Sequence, residues 1–128
     1  MKVIVNGKSY EHITTEITRK AKIEYSDNTG LTLAGTLSLD PLGTRLTYKL
    51  TFDSVFKDQE ALENLWNDLI QPRRDGTPIT MPYNKTEVSF NAKIEDVEQG
   101  YKTTSNGQRI WDKITVSFES TDLFIEVL

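Results

Sequence analysis

The sequence predicts a mainly β protein, an antiparallel β-sandwich or barrel with one amphipathic helix packed against the sheet. Three observations support this fold class: apolar and polar residues alternate in at least five segments, turn-forming residues separate most of these segments, and one segment has helical spacing instead. The chain has 128 residues, of which 37% are hydrophobic and 27% charged. That size and composition fit a single β-rich domain over residues 1–128.

The N-terminal residues predict a tight hairpin. Asn6 and Gly7 separate the apolar run Val3–Val5 from residues 8–10, and both residue types tolerate the positive φ angles of a two-residue turn. The run of three apolar residues is far too short for a signal-peptide core or a membrane span. We therefore expect no membrane association and synthesis in the cytoplasm.

Five segments alternate apolar and polar residues as half-buried strands do. They are residues 16–25, 31–39, 44–52, 87–95 and 113–118. One face of each strand is expected to pack inward and the other to meet water or a partner, as in antiparallel sheets. Arg19 is an exception, because it lies on the apolar side of the first segment. In the second segment the apolar face consists of leucines, with Gly35 in phase between Leu33 and Leu37.

The connections are predicted from Gly, Pro, Asn and Asp. Residues 27–30 predict a hairpin, Asp40–Gly43 a further turn, and residues 99–107 a longer polar connection. Pro82 predicts that residues 79–83 form an edge strand or irregular structure, since proline cannot donate to a ladder.

One segment, residues 58–71, has helical spacing. Its apolar residues Leu62, Leu65, Trp66 and Leu69 lie at i, i+3, i+4 and i+7, and the opposite side, including Asp68, is expected to face water. Asp58 is a suitable N-cap, and Pro72 cannot continue the helix. The apolar stripe is expected to pack across a sheet face or over the mouth of a barrel.

The composition argues against several classes of chemistry. The net charge is -4, and the 15 Lys and Arg residues are spread along the chain, which disfavours specific nucleic-acid binding. No cysteine is present, His12 is the single histidine, and no Gly-x-Ser-x-Gly, phosphate-loop, dinucleotide or zinc motif occurs. We expect no enzyme activity, no catalytic residues, no metal and no cofactor.

An acidic cluster at Glu95, Asp96 and Glu98 leaves one alternative open, a weak cation site or an acid–base pair. Neighbouring residues of a strand point to opposite faces, so solvated carboxylates are the favoured interpretation.

The remaining candidates are interface residues. Arg73 and Arg74 follow the helix and offer bidentate forks to carboxylates or phosphates, although exposed arginines also serve solubility. Trp111 is out of phase with Ile114, so it either anchors an interface from the polar face or returns to the core through a bulge at Arg109 or Ile110.

The apolar C-terminal run, with Phe124 and Ile125, is expected either to close the sheet or to be buried by another subunit. The candidate interface residues are Arg73, Arg74, Tyr101, Trp111, Phe124 and Ile125. An alternative function is a stand-alone module that binds carbohydrate or peptide by stacking on Trp111, Tyr101 and Tyr83.

The order of features also resembles a known family. An alternating strand over residues 46–52, a short helix over 61–69, a proline-flanked strand over 79–83 and a final strand over 111–119, after the opening Val5-Asn6-Gly7, resemble the small tail proteins of long-tailed bacteriophages and prophages. The resemblance implies a tail-tube-like fold, no cofactor and no catalytic residues.

The same resemblance implies a structural role in the virion tail after synthesis in the bacterial host. Such proteins associate with copies of themselves in rings or tubes, or with neighbouring tail proteins at a junction. The chain departs from major tube subunits because it has no obvious long insertion loop, which leaves a minor adaptor or completion role open.

Overall fold

The computed structural model describes residues 2–53 and 58–124. The strands and the helix follow one another along the chain as β1 (Ile4–Val5), β2 (Lys8–Ser9), β3 (Thr14–Tyr25), β4 (Gly30–Leu31), β5 (Leu37–Ser38), β6 (Pro41–Phe52), α1 (Gln59–Ile70), β7 (Thr77–Tyr83), β8 (Thr86–Thr103) and β9 (Arg109–Ser120). A 3-10 turn, Glu11–Ile13, lies between β2 and β3.

Seven strands form one sheet in the order β2-β1-β7-β8-β9-β6-β3, and β4 and β5 form a separate two-stranded ladder. Every pairing between the described strands is antiparallel. The mainly β, antiparallel fold class with one helix is therefore confirmed. The Asn6–Gly7 hairpin is confirmed too, with φ angles of 51° and 79° at its two turn residues.

The sheet curves until residues of distant strands touch. β6 and β7 are three strand spacings apart, about 14 Å in a flat sheet, yet the Tyr48 hydroxyl donates to the Pro82 carbonyl at 3.1 Å. On edge strand β3, Arg19 donates to Asn84 Oδ1 at 3.1 Å, and its guanidinium lies 5.2 Å from the centre of the Tyr83 ring. These contacts give the open sheet a sandwich-like form and explain why a cation occupies the apolar side of β3.

The core lies inside this curve, where the predicted alternation places apolar residues of neighbouring strands on one face. In the β6–β9 ladder Tyr48 pairs with Phe118, and Leu50 pairs with Val116. The Tyr48 ring is 5.9 Å from that of Phe90 and 6.0 Å from that of Phe118. The buried apolar residues are Val3, Val5, Tyr10, Ile13, Leu46, Tyr48, Leu50, Phe52, Ala61, Leu62, Leu65, Leu69, Ile79, Met81, Ala92, Ile114, Val116 and Phe118.

The helix covers this core as predicted. Asp58 is the N-cap, its Oδ1 accepting from the Ala61 N–H at 3.0 Å, and α1 ends at Ile70 before Pro72. Leu62, Leu65 and Leu69 are buried and Trp66 is partly buried. The helix contacts β1, β8 and β9, so it packs against one face of the sheet.

Two predictions for residues 31–43 were wrong. Strand β3 pairs directly with β6, as far as the pair Tyr25 and Pro41, so residues 26–40 project from the sheet instead of adding a half-buried strand. Asp40–Gly43 is not a turn, because Pro41 already begins β6. Both neighbours of β6 are occupied, by β3 and β9, so the leucine segment does not pair beside β6. The expectation that no long insertion loop exists was also wrong.

Two further predictions need correction. Strand β8 continues to Thr103, so the connection to β9 is only residues 104–108 and not 99–107. Strand β7 is internal, between β1 and β8. Pro82 is accommodated there because β1 pairs only with Ile79 and Thr80, so the missing N–H of Pro82 falls beyond that ladder.

Candidate assembly surfaces

The first candidate surface is the projecting segment, residues 26–40, which we call the leucine arm. Leu31 and Leu33 are 76% and 111% exposed, and Leu37 and Leu39 are also exposed. The arm is held by its own hydrogen bonds: the Thr32 N–H donates to the Thr36 carbonyl at 2.7 Å, and the Ser26 hydroxyl donates to the Asp40 carboxylate at its base. It is therefore an ordered apolar projection.

The adjoining ends of β3 and β6 extend this apolar surface. Ile23, Tyr25 and Leu42 are all exposed there. Neighbouring exposed apolar side chains are typical of surfaces that bind another molecule. Sequence reasoning found the leucine periodicity but assigned it to the core, because alternation does not reveal whether a second layer lies over the strand.

The second candidate surface is built by an irregularity in the β8–β9 ladder. Gln99 pairs with Ile114, but Tyr101 pairs with Trp111, so β9 contains one more residue than β8 between these pairs. The extra residue turns Trp111 to the helix side of the sheet. The bulge lies at residues 112–113 and not at Arg109 or Ile110, and it does not return Trp111 to the core. Trp111 is 49% exposed and Tyr101 57% exposed.

These two rings border a cleft between the helix and the sheet. The ring centres of Tyr101 and Trp111 are 4.8 Å apart. The cleft has a volume of about 350 Å³ and is lined by Glu63, Trp66, Asn67, Gln99 and Trp111. We call the cleft together with the Tyr101–Trp111 pair the aromatic cleft.

Polar contacts fix the hairpin that carries the aromatic cleft. Gln99 Nε2 donates to the Asp112 carbonyl at 2.8 Å, and Lys102 Nζ lies 3.1 Å from Asp112 Oδ1. The Lys102 bond, followed by the bond from the Lys113 N–H, lowers the pKa of the Asp112 carboxyl. The ionised form of Asp112 is thus favoured beside Lys102.

The two arginines that follow the helix have different surroundings. Arg73 donates to the Asp68 carbonyl at 2.9 Å and to the Gln71 carbonyl at 3.4 Å, so it satisfies the carbonyls of the helix C-terminus. Arg74 is exposed and lines a cleft of about 580 Å³ that also includes Arg45. Arg74 is thus the better placed of the two to meet a partner.

The C-terminal candidate residues fall partly within the described chain. Phe124 is partly buried, with its ring centre 5.2 Å from that of Tyr83 and its N–H donating to the Thr44 carbonyl at 2.7 Å. It packs on the protein's own core. Ile125 lies outside the described residues.

The single histidine, His12, contacts Asp58, the N-cap residue of the helix. His12 Nε2 lies 2.9 Å from Asp58 Oδ2, and this bond, followed by that from the Ala61 N–H, lowers the pKa of Asp58. Among residues 2–53 and 58–124, no three histidine or acidic side chains are grouped to hold a metal ion, and Glu95, Asp96 and Glu98 are exposed. No helix in these ranges is long and apolar enough to cross a membrane.

Sequence reasoning missed a buried polar cluster at Asp68. The residue was expected to face water, but it is only 7% exposed. Its carboxylate accepts from the Tyr10 hydroxyl at 2.7 Å and from Asn6 Nδ2 at 3.3 Å, and Lys8 Nζ lies at 3.4 Å. The cluster ties the β1–β2 hairpin to the helix. The hairpin covers this side of the helix, which no helical periodicity can indicate.

Comparison with known protein families and with curated protein sequences finds no match. Solved structures do match. A chain from the tail of an empty gene transfer agent particle, computed with helical refinement and C6 symmetry, superposes with a TM-score of 0.57 and 14% identity, over 94% of this chain and 86% of the other. A chain from the virion of the native gene transfer agent particle gives 0.56 and 14%, over 94% and 88%.

These matches show the fold over 94% of the chain. It is the fold of a chain found in a gene transfer agent tail, and the tail-protein fold predicted from the resemblance is thereby confirmed.

Proposed function

We propose that this protein is a structural subunit of a bacteriophage or prophage tail, which acts by associating with copies of itself and with neighbouring tail proteins. Its place of action is then the virion tail. The observation that carries the proposal is the leucine arm: a projection with four exposed leucines is unfavourable in water unless another protein surface covers it. The tail-chain fold supports the same function.

The free edge of the sheet also favours association. Strand β3 spans Thr14–Tyr25 at the end of the strand order, and within residues 2–53 and 58–124 no strand pairs with its outer side. An exposed edge of this length is a template for a strand from another subunit. Rings that repeat such a contact can close with cyclic symmetry.

The proposal is tested by the assembly state of the purified protein. Light scattering and negative-stain electron microscopy over a wide concentration range are expected to show rings, short tubes or concentration-dependent oligomers. A protein that stays monomeric throughout, and that binds no tail protein encoded beside it, would contradict the proposal. Association with a tail protein but not with itself would favour the adaptor or completion role over the tube role.

A stand-alone binding module is the second candidate, and the stacked Tyr101–Trp111 pair beside its cleft favours it. Aromatic faces next to polar groups such as Gln99 suit sugar rings or extended peptides. Tyr83 does not contribute, since Arg19 and Phe124 pack on its ring. Saturable binding in a glycan or peptide screen, lost on Trp111→Ala while the protein remains monomeric, would place this function above the structural one.

A further inference from the structure

We propose that the leucine arm of one copy docks against the aromatic cleft of the next copy, a contact that rests on the proposed self-association and specifies its two surfaces. The arm offers exposed aliphatic side chains, among them Leu31 and Leu33, and the cleft offers the exposed rings of Tyr101 and Trp111. Each surface is apolar and only partly covered within its own subunit.

The charges of the two surfaces are opposite. Residues 26–43 contain two carboxylates, Asp27 and Asp40, and no lysine or arginine, for a formal charge of -2. Residues 99–113 contain three cations, Lys102, Arg109 and Lys113, and the carboxylate Asp112. With Glu63, which lines the cleft from the helix, the formal charge around the cleft is +1. Arm against cleft therefore brings attraction, whereas arm against arm or cleft against cleft brings like charges together.

The arm cannot reach the cleft of its own subunit. β6 runs from the base of the arm at Pro41 to Phe52, which pairs with Ile114, and Trp111 lies three residues beyond. These fourteen steps span about 45 Å along the strands at about 3.3 Å per residue. From Tyr25 to the turn at Gly35 the arm extends at most about 35 Å. The cleft it meets must belong to another copy.

A contact between different surfaces at opposite ends of a subunit has a defined consequence. Each subunit that docks its arm still presents a free cleft, and its partner still presents a free arm. Such head-to-tail contacts propagate into open assemblies unless rotation closes them into a ring. The polarity of the resulting assembly follows from the direction of the arm.

The test removes one surface at a time from the full chain. The arm variant is Leu31→Ser with Leu33→Ser, and the cleft variant is Trp111→Ser. Ile70→Ser is the matched control, because Ile70 is 49% exposed, the same fraction as Trp111, but lies at the end of the helix. Circular dichroism and thermal unfolding establish that each variant is folded. Analytical ultracentrifugation then measures the concentration at which half of the protein is assembled.

We expect this concentration to rise at least about tenfold for the arm and cleft variants, with Ile70→Ser unchanged. Mixing the two defective variants leaves one intact arm and one intact cleft. The mixture should form a 1:1 dimer that does not grow further, at a concentration at which each variant alone is monomeric.

The outcomes separate this inference from the proposed function. If the unmodified protein assembles but either folded variant assembles equally well, or if the mixture gives no dimer, the arm–cleft contact is wrong and the structural function stands. If the unmodified protein remains monomeric and binds no tail protein, both are wrong.

Discussion

The buried bond between Tyr10 and Asp68 allows a quantitative test of the cluster that ties the N-terminal hairpin to the helix. Tyr10→Phe removes one hydroxyl from a fully covered site and leaves the ring in place. A hydrogen bond to a charged acceptor is worth about 1.5–3 kcal/mol. Asp68 keeps Asn6 Nδ2 at 3.3 Å and Lys8 Nζ at 3.4 Å as partners, so we expect a loss of about 2 kcal/mol.

The thermal effect follows from the chain length. Unfolding entropy near 60 °C is about 2.1 cal/mol/K per residue, which for 128 residues converts 2 kcal/mol into a Tm decrease of about 7 °C. Tyr48→Phe is the matched comparison, because its hydroxyl bonds to the neutral carbonyl of Pro82 and should cost only about 1 kcal/mol. Urea unfolding followed by far-ultraviolet circular dichroism measures both losses.

Tyr10→Phe should also change how the free energy of unfolding decreases at alkaline pH. Burial, followed by the hydrogen bond to Asp68, raises the pKa of Tyr10, so the folded state holds this proton more tightly than the unfolded chain. The stability contributed by Tyr10 is complete below the unfolded pKa of about 10 and falls as the pH rises above it. Tyr10→Phe should flatten that fall. The reasoning would be refuted if Tyr10→Phe lowered the free energy of unfolding no more than Tyr48→Phe does and left its decrease at alkaline pH unchanged.

Three other substitutions test the fold and the helix cap. Gly76→Ala is expected to cost about 2 kcal/mol in urea unfolding, because φ is +90° and an added Cβ would lie 2.9 Å from the Ala92 carbonyl oxygen; an unchanged midpoint would contradict this. Leu65→Ala removes a fully buried side chain of the helix and should lower the free energy of unfolding by about 3 kcal/mol. A smaller decrease than that caused by an alanine substitution at an exposed position would show that the helix is not packed on the core. Asp58→Asn keeps the cap acceptor but removes the carboxylate whose pKa the bonds to His12 and Ala61 lower. That carboxylate contributes stability above about pH 4 that is lost on acidification. The Tm of the variant should therefore fall less between about pH 5 and pH 3 than that of the unmodified protein. An equal fall in Tm for both proteins would argue against a stabilising His12–Asp58 pair.

Local chemistry determined the elements that the sequence predicted correctly. The Asn6–Gly7 turn depends on two residues that tolerate positive φ angles. The helix depends on apolar spacing between a side-chain cap at Asp58 and the stop at Pro72. The strands of residues 44–52, 87–95 and 113–118 depend on alternation across a half-buried sheet. Each of these signals acts within a few residues, so it can be recognised without knowledge of the rest of the chain.

Only the tertiary structure decided what lies over each face. Leucines at alternate positions of residues 31–39 have the same pattern as core strands, but β3 and β9 already occupy both sides of β6, so the segment projects. Helical spacing places Asp68 on the side of the helix expected to face solvent, but the residue is buried because the N-terminal segment that carries Tyr10 covers it. Trp111 faces the helix because β9 gains one residue relative to β8. Which element covers a face, and in which register two strands pair, depends on segments that are distant in the sequence. The sequence by itself therefore determined the β-rich fold and its single helix, and the tertiary structure determined which surfaces are free to assemble.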